Sequence, residues 1–105
     1  EQRDADIGLL FDPKRKNESE FCRKWKRRLQ MLDSDLKIRF NYPYKGTADG
    51  FTTYLRTKFS DEEYAGIELE VNQKFPLNEP EYWLHLQRNL HVSLRSVIHE
   101  DAETD

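Results

Sequence analysis

The stretch "DIGLLFDP", Asp6 to Pro13, is a short apolar run closed by a turn signal, and its reading decides the fold. The run from Ile7 to Phe11 has no polar face, as a strand covered on both sides requires, and Asp12-Pro13 ends it. Such a strand belongs inside a sheet. Downstream, Asn17 or Ser19 is placed to cap a helix in which Phe21, Cys22, Trp25, Leu29 and Leu32 recur at three- and four-residue spacing and so share a core face. "LKIRFN", Leu36 to Asn41, then alternates Leu36, Ile38 and Phe40 with Lys37, Arg39 and Asn41 as a second strand. Strand, helix and strand in this order imply a right-handed parallel crossover.

Working outward, "NYPYKGTADG", Asn41 to Gly50, is rich in turn formers and reads as a loop leaving the carboxyl end of the second strand, the edge where open α/β sheets bind ligands. "FTTYLRTKFSDE" fits either a short helix or an irregular excursion. "EYAGIELEVNQ", Glu63 to Gln73, reads as a third strand, with Ile67, Leu69 and Val71 facing the core and Glu68, Glu70 and Asn72 on the other side. Two carboxylates two residues apart lie roughly 7 Å from each other and raise each other's pKa, which fits a solvated face or a site. "FPLNEPEYW" turns into a last helix with Asn78 as cap and Pro80 in the first turn. Trp83, Leu86, Leu90, Leu94 and Val97 form its apolar stripe as far as about Ile98, and residues 100–105 form a frayed acidic tail. The expected fold class is α/β, an open, mainly parallel sheet with flanking helices, with residues 1–105 forming a single domain or a fragment of a larger one.

Bulk properties narrow the function. A chain of 105 residues with 36% hydrophobic, 35% charged and 12% aromatic residues reads as a soluble globular protein with a modest, aromatic-rich core. The net charge of −3 argues against the whole domain binding nucleic acid. Eight of its 17 basic residues fall between Lys14 and Arg28, a run that reads as the solvated face of a helix rather than a phosphate-binding stripe. There is no apolar run of the roughly 20 residues that span a bilayer and no secretory pattern at the start, so no membrane partner is expected and the cytoplasm is the simplest compartment. The single cysteine, Cys22, excludes an internal disulfide and a Cys-rich metal cluster, and its place on the apolar stripe reads as packing. His85, His91 and His99 are spaced by six and eight residues, whereas neighbouring ligands on a helix need three or four, so no metal ligands are assigned within the chain. A Gly-rich phosphate loop and a Gly-x-Ser-x-Gly elbow are both absent. What remains is a polar set able to converge at one sheet edge: Asn41, the loop with Gly46, Thr47 and Gly50, then Thr52, Thr53, Arg56, Glu68 and Glu70. It offers a base, an amide and a cation for an anionic substrate, and lacks an electrophile.

Three segments, "DADIGLLFDP", "NYPYKGTADGFTTYLR" and "GIELEVNQKF", resemble the second half of the N-formylglutamate amidohydrolase family, in which a D-I-G strand, an N-x-P-[YF]-x-G loop and an E-[VL]-[NA]-[QR] strand occur in this order. The likeness covers roughly Asp4 to Leu77. It implies the second half of a zinc-carboxypeptidase-like (phosphorylase/hydrolase-like) fold and a cytoplasmic hydrolase acting on the amide of an N-acyl amino acid, a small anionic substrate. The cofactor it implies is one zinc ion in the parent protein, held by two histidines and a glutamate that lie outside this chain, so that the chain alone is expected to be inactive. Under the same resemblance Glu70, before V-N-Q, takes the role of general base, and Glu68 and Asn72 support it. Arg56 becomes the clamp for the substrate carboxylate, with Asn41 and Thr53 in the same pocket. The alternative is a non-catalytic interaction or scaffold domain of the same fold. A fragment of a larger sheet is also expected to self-associate through an exposed sheet edge.

Overall fold

The computed structural model describes residues 4–103. Its elements, in chain order, are β1 (Ile7–Leu10), α1 (Lys16–Leu32), β2 (Ile38–Phe40), a 3-10 turn (Gly46–Ala48), α2 (Gly50–Lys58), β3 (Glu68–Val71), α3 (Lys74–Asn78) and α4 (Pro80–Glu103). Three strands form one sheet in the order β2-β1-β3, with β1 in the centre and fully buried, as its uninterrupted apolar run requires. The backbone measures 40 × 34 × 16 Å, a thickness that holds one sheet and one helical layer.

The core lies between Ile7, Leu9, Phe11 and Ile38 of the sheet and the helices: Cys22, Trp25 and Leu29 of α1, Phe75 of α3, and Leu86, Leu90 and Val97 of α4. The stripe expected on α1 is buried at Cys22, Trp25 and Leu29, with Phe21 packed at its margin, whereas Leu32, in the last turn, is exposed. A buried polar link joins the two long helices, where the Trp25 indole N–H donates to Ser93 Oγ at 2.9 Å and Ser93 Oγ donates to the Leu90 carbonyl.

Four expectations need correction. The sheet is mixed rather than mainly parallel: β1 and β2 are parallel, but β3 runs antiparallel to β1. The connection from β2 to β3 carries the 3-10 turn and the nine-residue α2 and is long enough for a parallel crossover, yet it returns the chain antiparallel to β1. Neither Asn17 nor Ser19 caps α1, which opens at Lys16 after Arg15. Instead, Asp61 reaches across from a distant loop to accept the Asn17 backbone N–H at 3.0 Å. Asn78 ends α3, and Pro80 itself opens α4, whose fixed φ suits a first position. That helix continues past Ile98 to Glu103; the last two residues of the acidic tail, Thr104 and Asp105, lie outside the described residues.

On β3 the expected core face is only partly covered: Ile67 and Val71 pack against the margin of the core. Leu69, expected in the core, is 41% exposed, while Glu68 and Glu70 are half-buried. The face of the sheet opposite the helices is roofed by the segment that follows β2, which closes over Gly8 and Leu10 and reaches the two carboxylates.

Candidate functional site

Two adjacent clefts meet at Glu70. One, of about 280 Å³, is lined by Asp6 and Gly8 from β1 and its approach, by Tyr42 and Pro43, and by Glu70, Asn72 and Gln73. The other, of about 210 Å³, is lined by Leu10, Tyr44, Lys45, Asp49, Glu68 and Glu70. Glu70 therefore stands on the wall between them. The segments D-I-G, N-Y-P-Y and E-V-N-Q, far apart in the chain, supply most of the first cleft.

Glycine makes this approach feasible. Gly8 is paired with Arg39 on one side and Glu70 on the other, and a Cβ on it would lie 2.2 Å from the Tyr42 carbonyl oxygen and 3.3 Å from Glu70 Cβ. A side chain here would push the Tyr42 segment off the sheet. The loop is tied at its start by Asn41, which adopts φ 51°, a left-handed conformation that Asn tolerates better than most residues. Its Oδ1 accepts the backbone N–H of Phe11 at 3.0 Å and of Gly46 at 2.9 Å, joining the end of β1 to the loop.

The residues singled out from sequence therefore divide. Glu70, Glu68 and Asn72 line the clefts. Asn72 also spends its amide on the fold: Nδ2 donates to the Ala5 carbonyl at 3.0 Å, and Oδ1 accepts the Lys74 N–H at 2.9 Å at the start of α3. Asn41 holds the loop through its side chain and lines neither cleft. Thr53 is exposed on α2, donating from Oγ1 to the Thr47 carbonyl at 3.2 Å. Burial, with Asp49 and Glu70 adding to it, pushes the Glu68 carboxyl above the usual carboxylate range, partly offset by Arg56.

Arg56 lines neither cleft. Its side chain is 6% exposed and forms an ion pair with Glu18, itself wholly buried. Arg56 Nε donates to Glu18 Oε2 and Nη2 to Glu18 Oε1, each at 3.0 Å, while Nη2 also donates to the Gly66 carbonyl at 2.7 Å. The same Glu18 oxygens accept the backbone N–H of Asp12 and of Gly66, both at 2.9 Å. With four donors on two oxygens, this pair ties the β1–α1 turn, α2 and the approach to β3 together. Sequence reading overlooked Glu18 because it lies in a basic run, although the spacing 18, 22, 25, 29 places it on the buried stripe of α1.

Among the described residues, no group of three or more His, Cys, Asp and Glu is placed to hold a metal ion, and no helix is long and apolar enough to cross a membrane. No family model, curated protein or solved structure matches this chain.

Proposed function

We propose that this chain is the carboxyl-terminal part of an amide-hydrolysing enzyme resembling N-formylglutamate amidohydrolase, with Glu70 as the general base. The observation that carries this reading is convergence: the three segments on which the resemblance rests meet around one cleft with Glu70 in its wall. A carboxylate there can take a proton from an attacking water and pass it to the departing amine. Asp6 and Asn72 border the same cleft with their polar groups engaged in the fold, Asp6 by the Lys37 N–H and the Lys74 ammonium and Asn72 by Ala5 and Lys74, so they shape its wall. The described residues do not make a zinc site, so the ion that the resemblance implies would be held by ligands outside this chain, and no step is drawn through it. The zinc-carboxypeptidase-like fold is part of the same proposal and rests on the same motifs.

The placement of Arg56 changes one part of the reading. Its hydrogen bonds go to Glu18, Thr52 and Gly66, so a substrate carboxylate would have to displace Glu18 to reach it. In this proposal Arg56 holds the scaffold of the site. Lys45, in the second cleft beside Glu70, is the cation in a position to meet an anionic substrate.

The test is hydrolysis of N-acyl amino acids by the full-length protein supplied with zinc. Glu70→Gln is expected to lower kcat by at least about a hundredfold with the fold retained, and Glu68→Gln by much less. Equal losses in the two variants, or no hydrolysis by the native protein, would overturn the assignment. The second reading is a non-catalytic scaffold domain of the same fold. The open edge of β3 favours it, and it predicts association without turnover.

A further inference from the structure

Both outer strands of the sheet present an unused edge. In β3, Asn72 N–H donates to the Asp6 carbonyl at 2.9 Å and Glu70 lies opposite Gly8, so Leu69 and Val71 turn their backbone groups away from β1. In β2, the Lys37 carbonyl accepts the Ile7 N–H and the Asn41 N–H donates to the Leu9 carbonyl, so Ile38 and Phe40 turn theirs away. Among the described residues, no backbone hydrogen bond reaches the outward groups of Ile38, Phe40, Leu69 or Val71.

The two edges differ in chemistry, and they match. β3 alternates Glu68 and Glu70 with the half-covered Leu69 and Val71; β2 and its flank alternate the exposed Lys37 and Arg39 with Ile38 and Phe40. Gly8 is the neighbour of both Arg39 and Glu70, so the acidic and the basic rows occupy the same face of the sheet. Pairing β3 with β3 about Glu70 would set like charges directly opposite, and so would pairing β2 with β2 about Arg39, a destabilising arrangement. Pairing β2 with β3 sets opposite charges together.

We infer that this chain associates edge to edge with a second copy of itself, β2 of one copy adding antiparallel to β3 of the next. Within one copy β2 is parallel to β1 and β3 antiparallel to it, so this addition leaves both copies in the same orientation, with their helices on the same side of one continuous sheet. With Leu69 opposite Ile38 of the second copy, Glu68 meets Arg39, Glu70 meets Lys37 and Ile67 meets Phe40. The contact is heterologous and does not close on itself, so copies add in a row. The inference does not depend on the catalytic reading.

Two charge reversals test it. In sedimentation equilibrium over about a hundredfold range of concentration, the native chain is expected to grow in mass beyond a dimer. Glu68→Lys alone and Arg39→Glu alone should each weaken association at least about tenfold, since each places like charges across the contact. An equimolar mixture of the two variants should associate as the native chain does, because every contact between unlike copies regains opposite charges. Leu69→Pro removes one outward N–H without touching the bonds to β1, and should abolish growth while leaving the circular dichroism spectrum native. A native chain that stays monomeric, growth that stops at a dimer, single variants that associate like the native chain, or a mixture that fails to recover would each overturn the proposal.

Discussion

Glu18 and Arg56 meet through two parallel hydrogen bonds of 3.0 Å, at the junction of three segments that are otherwise separate in the fold. A buried pair of this kind contributes little net stability relative to a well-packed apolar substitute, but breaking it leaves a charge without a partner. Glu18→Ala is therefore expected to cost about 3–5 kcal/mol, read from chemical denaturation. Arg56→Lys should also destabilise, since an ammonium group cannot make the two-point fork. The double variant Glu18→Leu with Arg56→Met should recover only part of the loss: the N–H groups of Asp12 and Gly66 would remain buried without acceptors, at about 1–3 kcal/mol each. Full recovery would show that the backbone contacts contribute nothing.

That relationship also shows what the sequence made legible. β1, β2 and α1 could be read because each rests on a local period, namely a continuous apolar run, an alternation of two and a stripe of three and four. The direction of β3 could not, because alternation is the same in parallel and antiparallel strands, and only the path of α2 decides between them. The cover over Glu68 and Glu70 is illegible for a similar reason: period assigns residues to two faces, but the roof over these carboxylates is built by residues 42–49, far away in sequence. The clefts share this origin. Glu70 was singled out by its motif, while Gly8 and Tyr42 owe their place at the site to tertiary contact.

Cys22 gives a prediction about reactivity. Burial, reinforced by the nearby Glu18, pushes its thiol up to about 12. The thiolate that would attack a disulfide reagent is therefore scarce as well as covered. Labelling of the native chain near neutral pH should proceed at the rate of unfolding, and should accelerate in denaturant. Rapid labelling without denaturant would mean that α1 opens away from the sheet.

Asp49 caps α2, its Oδ2 accepting the Thr52 N–H at 2.8 Å, and these hydrogen bonds from Thr52 hold its carboxyl below the ordinary value of 3.8. A carboxyl whose folded pKa is depressed stabilises the fold above its unfolded pKa, and that contribution is lost as pH falls through the folded value. Asp49→Ala should therefore be less stable than the native chain at neutral pH, with the gap narrowing below about pH 3.8. A gap independent of pH in denaturation curves would show that the ionised form has no special part in the cap.

Glu68 should behave in the opposite sense. Its carboxyl is raised by burial and by Asp49 and Glu70, so the charged form is disfavoured in the folded chain. The destabilisation is present above the folded pKa and absent below the ordinary value of 4.5. Glu68→Gln should raise the denaturation midpoint at neutral pH and leave it unchanged in acid. A loss of stability at neutral pH would instead reveal a favourable contact of the carboxylate.

Gly8 and Gly50 offer a paired test of whether the cleft depends on close backbone approach. A methyl group on Gly8 would sit 2.2 Å from the carbonyl oxygen of Tyr42, a backbone atom that can move only if the whole segment after β2 lifts. Overpacking of this kind costs about 1–3 kcal/mol, and here it should also draw Tyr42 and Pro43 away from Glu70 and open the first cleft. Gly50 begins α2, and a Cβ there meets nothing within 4 Å. Gly50→Ala should therefore be neutral or stabilising by about 0.4–1 kcal/mol, because it restricts only the unfolded chain. Tyr42 ring signals in NMR should shift in Gly8→Ala and stay fixed in Gly50→Ala. If Gly8→Ala is as stable as Gly50→Ala, with the Tyr42 signals unmoved, the segment does not press on β1 and the glycine of D-I-G is not what brings Tyr42 to Glu70.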